Sequence, residues 1–170
     1  LSTSPSAAPD PLLLPNMDAA ATRVTTALAT GERIGIFGDY DVDGITSTAL
    51  LLTAFHAALR GDDQVIARLP RREEGYGLSL VALDEFAAAG VTLLITVDCG
   101  STDHEHVAAA RARGMEVVVI DHQVVAAAVR RPAAGRSVGR LGFDKGRGGC
   151  LRFGRLRLWL ARGLFSSLLF

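Results

Sequence analysis

The chain has 170 residues, 49% of them hydrophobic, which suffices for one α/β domain with its own core. Its formal net charge of zero hides a segregation: residues 1–125 carry 17 acidic and 8 basic side chains, whereas residues 126–170 carry 10 basic groups and Asp144 as the sole acid. Two cysteines, Cys99 and Cys150, make neither a disulfide framework nor a metal-ligand spacing and suit a reducing, cytoplasmic setting, and no apolar stretch approaches the roughly 20 residues of a bilayer span, so no membrane partner is expected.

In chain order, residues 1–15 are expected to form a flexible lead, because Pro5, Pro9 and Pro11 punctuate small polar residues and no charged-then-apolar secretory layout is present. The start at Leu1 rather than methionine suits a piece of a longer product. Asn16 is placed to cap a helix over 17–29, ended by Gly31. A buried strand follows at 33–38 (RIGIFG), then a helix at 45–60 stopped by Gly61. Residues 64–69 read as a strand, and 79–89 as a helix capped by Ser79 and closed by Gly90. The apolar run 92–97 (TLLITV) is too short for a helix and reads as a strand. A Thr102-x-x-Glu105 capping box opens a helix over 102–113, ended by Gly114, and 116–120 (EVVVI) is the last clear strand.

Continuous apolar strands alternating with amphipathic helices imply an α/β fold: a parallel sheet covered by helices on both faces, a three-layer sandwich. The organised domain is expected over residues 16–125. Past residue 125 the pattern dissolves into Arg and Gly, and residues 126–170 form an aberrant tail that is expected to pack poorly and add no strand to the sheet. Three readings of it compete: a basic nucleic-acid-binding tail, an Arg-rich amphipathic helix near 151–164, or translation out of frame. The abrupt change of charge favours the last.

In an open parallel sheet, ligands bind outside the carboxyl ends of the strands. The first strand is followed by Gly38-Asp39-Tyr40-Asp41-Val42-Asp43-Gly44, the third by Asp98-Cys99-Gly100 and the fourth by Asp121-His122-Gln123. Carboxylates converging from three strands would repel one another without a cation, and an oxygen-rich site with one imidazole suits Mn²⁺ or Mg²⁺. Asp41, Asp43, Asp98 and His122 are therefore the expected ligands. Asp39 reads as a cap or turn former and is left outside the set. Gly44 would let backbone N–H groups approach a phosphate, while Arg71, Arg72 and Tyr76 could contact substrate through phosphate and base. His56, His104 and His106 read as surface or capping residues.

Together these segments resemble the RecJ branch of the DHH phosphoesterases. The matching pieces are Asp10-Pro11 through Asn16-Met17-Asp18, GDYDVDG at 38–44 with Ile45-Thr46-Ser47-Thr48, EGYGL at 74–78, TVDCG at 96–100 and VIDH at 119–122, in order over residues 10–123. The resemblance implies a Rossmann-like DHH domain and an exonuclease acting on single-stranded DNA from the 5′ end, in repair and recombination, with two metal ions. It implies that Asp98 bridges the metals, that Asp121 supports the catalytic set, and that a metal-activated water attacks the phosphodiester with no side chain as nucleophile. Three departures accompany it. Gln123 stands where the family has a second histidine that helps hold the scissile phosphate, no later metal-binding aspartate is found beyond Asp144 in the tail, and the second catalytic domain and nucleic-acid-binding domains of such enzymes have no counterpart. These departures imply an impaired nuclease.

Two alternatives stand beside this reading. Asp41-Val42-Asp43-Gly44-Ile45-Thr46 also fits the Asp-x-Asp-Gly-x-Thr signature of haloacid-dehalogenase-like phosphatases, although that family places its nucleophile directly after the strand. A decayed, non-catalytic metal or nucleic-acid binder of the same fold is the other.

Overall fold

The computed structural model describes residues 10–59, 63–122 and 140–141. Runs of aliphatic residues form the strands Ile34–Gly38 (β1), Val65–Arg68 (β2), Leu93–Val97 (β3) and Glu116–Ile120 (β4). Between and before them lie the helices Met17–Thr30 (α1), Val42–Ala58 (α2), Leu80–Ala88 (α3) and His104–Ala112 (α4). The sheet order is β2-β1-β3-β4-β5, where β5 is Arg140–Leu141, and every neighbouring pair is parallel.

Alternating side chains divide the core into two faces, as strands buried on both sides require. On one face Ile34, Ile36, Leu93, Ile95, Val97 and Val118 pack against Met17, Ala20, Val24 and Ala27 of α1 and against Leu51 and Phe55 of α2. On the other, Phe37, Leu94, Val117 and Val119 pack against Ala82, Leu83 and Phe86 of α3 and Ala110 of α4. The sheet is thus the middle layer of a three-layer sandwich with helices on both faces. Arg23 of α1 makes a two-point ion pair with Glu32 (2.6 and 3.0 Å) and a contact with Glu116, and Glu32 also accepts from Thr92, so α1 is bolted to the amino ends of the strands.

Register places the carboxyl ends. Gly38 stands opposite Val97, and Val97 opposite Ile120. The three central strands therefore end in one row, and the next residue of each is an aspartate: Asp39, Asp98 and Asp121. The chain runs from β1 outward to β2, then back across β1 to β3, which makes the gap between β1 and β3 the topological switch point where open α/β sheets bind ligands.

Several local expectations change. Asn16 precedes α1 in a left-handed conformation (φ 61°) and its side chain does not cap the helix. Helix α2 begins at Val42, earlier than residue 45, because the Asp41 carboxylate caps it through the Gly44 N–H at 2.9 Å. The Thr102-Glu105 capping box does not form: Asp103 occupies the N-cap position of α4, and its carboxylate turns away to accept from the Leu78 N–H. Ser79 does cap α3, accepting from Ala82 N–H. The two-residue β5 pairs with β4, contrary to the expectation that the tail adds no strand, because the outer edge of β4 offers unpaired backbone groups to any short extended segment. The rest of residues 126–170, with Trp159, Cys150 and Asp144, lies outside the described residues, as does the lead before Asp10.

Gly35 of β1 lies under the Phe86 ring: a Cβ there would meet ring carbons at 2.8 and 2.9 Å. Gly35→Ala is therefore expected to destabilise the domain by about 1–3 kcal/mol through overpacking. A lowered urea midpoint at unchanged slope would show it, and an unchanged midpoint would mean that the α3 layer yields freely.

Candidate metal centre

The carboxyl edge gathers acidic groups whose fates differ. Asp121 is buried, and its Oδ2 accepts from the Ser101 N–H at 3.0 Å, which ties the end of β4 to the loop carrying Asp98. Asp41 is exposed and commits one oxygen to its helix cap. Asp39 is only 1% exposed, and among the described residues its Oδ1 meets no hydrogen-bond donor. Burial, with repulsion from Asp41 adding to it, raises the Asp39 carboxyl above its ordinary range against the opposing effect of the Tyr40 backbone N–H.

Asp98 is the centre of the cluster. It is 7% exposed and sits at a positive φ of 60°. Burial chiefly, then the charge and the hydrogen-bonding proximity of Asp41, push its carboxyl up to about 6 despite the favourable His122. His122 Nε2 lies 2.9 Å from Asp98 Oδ1. That distance suggests an ion pair, yet Oδ1 has no aligned donor. The two atoms are close without the one pointing its proton at the other, an arrangement natural to lone pairs that face a common cation. Ligand atoms of Asp43, Asp98 and His122 all lie within 4.8 Å of one another. Two carboxylates and one imidazole form a hard oxygen- and nitrogen-donor set that fits Mn²⁺ or Mg²⁺. A buried carboxylate oxygen without a donor is costly unless a cation meets it, so the residues present fit a metal.

The structure thus brings Asp43, Asp98 and His122 together, with Asp41 beside Asp98 and Asp121 behind the loop. Gly44 has a packing role instead of a free amide: its N–H is taken by Asp41, and a Cβ would stand 2.4 Å from the Asp39 carbonyl oxygen. Arg71 and Arg72 are exposed on the loop before α3, and the Tyr76 hydroxyl donates to the Asp98 carbonyl oxygen at 3.4 Å. Gln123 lies outside the described residues. Asp39, left outside the ligand set on the sequence, is buried with one oxygen that meets no donor among the described residues. Cys99 is buried, and that burial raises its thiol, which leaves it a packing residue.

A family model described as "DHH family, N-terminal domain" matches residues 33–136. The chain belongs to the DHH family. The single-stranded-DNA-specific exonuclease RecJ of Salmonella typhimurium is 40% identical over 112 residues, covering 65% of this chain and 19% of that protein. The RecJ of Thermus thermophilus is 42% identical over 112 residues, covering 65% and 16%. This chain spans about a fifth of the length of these DHH relatives. Among solved structures, an exonuclease RecJ bound to manganese superposes with a TM-score of 0.62 at 33% identity, covering 76% of this chain and 31% of that one. RecJ from Thermus thermophilus in complex with Mn²⁺ gives 0.57 at 29% identity, covering 78% and 18%. Membership of the DHH family leaves no place for the dehalogenase-like reading. No helix of the described residues is long and apolar enough to cross a membrane.

The raised Asp98 carboxyl sets a pH dependence. Its folded value, about 6, exceeds the ordinary 3.8, so the folded state holds the extra proton between these values. Without metal, the domain should lose stability as pH rises from about 4 to 6, while Mn²⁺ binding should tighten over that window. Asp98→Asn should raise the melting temperature of the metal-free chain at pH 7 and abolish Mn²⁺ binding, as read by calorimetry. A melting temperature that falls instead would show that Asp98 supports the fold.

Proposed function

We propose that this site hydrolyses phosphodiester bonds of single-stranded DNA from the 5′ end, as RecJ-like enzymes do, with divalent metal held by Asp41, Asp43, Asp98 and His122. The observation that supports this best is the buried, donorless oxygen of Asp98 beside Asp43 and His122 at the switch point of a DHH fold. Bound there, Mn²⁺ or Mg²⁺ would supply Lewis-acid polarisation of a phosphate and a water of lowered pKa. Asp98 would contribute to both ions of a RecJ-like pair, with Asp41, Asp43 and His122 as the other residues holding them. Asp121 fixes the Asp98 loop through Ser101, and with such a water available no side chain need act as nucleophile. Arg71 and Arg72 would meet the phosphate backbone and Tyr76 a base at the rim.

Gln123 stands where the RecJ resemblance implies a histidine that helps hold the scissile phosphate. Losing one donor aimed at developing charge costs about 10²–10³ in rate. That replacement favours a second reading, a domain that binds metal and single strands without turnover.

The two are separated with 5′-labelled single-stranded DNA in Mn²⁺, comparing the chain with an Asp41→Ala, Asp43→Ala variant. Slow, Mn²⁺-dependent release of 5′ nucleotides, absent from the variant and from a duplex control, is the expected outcome. Traces indistinguishable from the variant, with oligonucleotide binding intact, would establish the binding role instead.

A further inference from the structure

The loop between β2 and α3 carries Arg71, Arg72 and Tyr76, and its shape is held by residues that have no part in the ligand set. Glu74 is locked by Arg68 at the end of β2: Nη1 and Nη2 donate to its two oxygens at 2.9 and 2.7 Å, and the Ser79 hydroxyl donates to Oε2 at 3.1 Å. The pair is largely buried, each side chain being 13% exposed. At the other end of the loop the Asp103 carboxylate accepts from the Leu78 N–H at 2.9 Å. A Cβ on Gly77 would stand 2.6 Å from that same oxygen. Between the two anchors Gly75 and Gly77 both take φ of +82°, a conformation that L side chains rarely adopt. The short arch Gly75-Tyr76-Gly77, held at both ends, brings the Tyr76 hydroxyl to the Asp98 carbonyl oxygen and the half-exposed ring edge-on to Tyr40, with centroids 6.4 Å apart.

We infer that Glu74 and Asp103 are positioning residues, clamping the Gly75-Tyr76-Gly77 arch so that the Tyr76 ring stands beside Asp98 as a stacking surface for a nucleobase of the bound single strand. Both acids are thus engaged, Glu74 by Arg68 through both oxygens and Asp103, at the start of α4, by a backbone amide. The stacking role rests on the proposed single-strand substrate, whereas the clamp itself can be read without substrate.

The test uses the whole chain and the variants Glu74→Ala, Glu74→Gln, Asp103→Asn and Tyr76→Ala. The probes are Mn²⁺ alone and a fluorescent oligothymidylate in Mn²⁺. NMR of ring-labelled tyrosine, with Tyr76 assigned through Tyr76→Ala, reports the arch directly. Glu74→Ala should shift and broaden the Tyr76 ring signals while Mn²⁺ affinity stays within about twofold, and Glu74→Gln, which keeps an acceptor for Arg68, should restore much of the native signal. Base stacking lost by truncation is worth on the order of tenfold in affinity. Tyr76→Ala and Glu74→Ala should each weaken oligothymidylate binding by about that factor, and the double variant no further. Unmoved Tyr76 signals in both Glu74→Ala and Asp103→Asn would overturn the clamp, as would a loss of Mn²⁺ affinity that matches the loss of oligonucleotide binding. Native oligothymidylate binding by Tyr76→Ala, with the ring signals of Glu74→Ala still displaced, would sink the stacking role and leave the clamp standing.

Discussion

Flush strand register forces Asp39, Asp98 and Asp121 to leave the sheet side by side, and Asp41 and Asp43 follow on the first turn of α2. Two unit charges 4 Å apart repel by about 4 kcal/mol at an effective dielectric of 20, so this edge cannot leave all its acids bare. Some of the acids are relieved by backbone N–H groups: Asp121 by Ser101, Asp41 by Gly44, and nearby Asp103 by Leu78. Asp39 and Asp98 each keep a buried oxygen that no donor among the described residues meets, and both carboxyls are raised. The unrelieved repulsion is concentrated around one point, and a divalent cation is the simplest group that relieves it.

Topology and side-chain chemistry reinforce each other at that point. The crevice between β1 and β3 opens because the chain reverses its direction of sheet growth there. Close packing at Gly44 then brings the start of α2 against the Asp39 backbone, so the Asp-x-Asp-Gly segment is as much a packing requirement as a donor set. At the far end of the strands, the Arg23 and Glu32 network ties α1 to the sheet, away from the carboxyl edge that carries the acids.

Much of this was legible in the sequence because it follows from local periodicity. Aliphatic runs bounded by glycines located the four main strands, and the aspartate after each of three of them located the edge. What escaped was the partnership of each acid. Any aspartate in a strand-to-helix turn can cap a helix, so local pattern could not tell that Asp41 caps while Asp39 is buried without a donor for one oxygen. The Asp103 contact to Leu78 spans 25 residues and replaces the capping box that Thr102 and Glu105 suggested. Side-chain-to-backbone bonds of that reach depend on how α3 and α4 pack, which no window of sequence reports. The two-residue β5 escaped for a different reason, since pairing at an open edge demands almost no sequence.

Asp98 differs from its neighbours in a way that bears on function. Its backbone lies at φ 60°, a conformation that costs a non-glycine residue on the order of 1–3 kcal/mol, and its carboxylate is charged at neutral pH against burial and the pressure of Asp41. A structural aspartate at this position would look like Asp121, buried but met by an amide, or like Asp103, tied to a neighbouring loop. Asparagine would fill the same space, tolerate the same backbone and carry no charge. That the costs of strain, burial and repulsion fall together on one side chain, with an imidazole 2.9 Å away, is what a fold selected for stability alone would avoid. A bound cation reverses the sign of the electrostatic part, turning the crowding of Asp41, Asp43 and Asp98 into affinity.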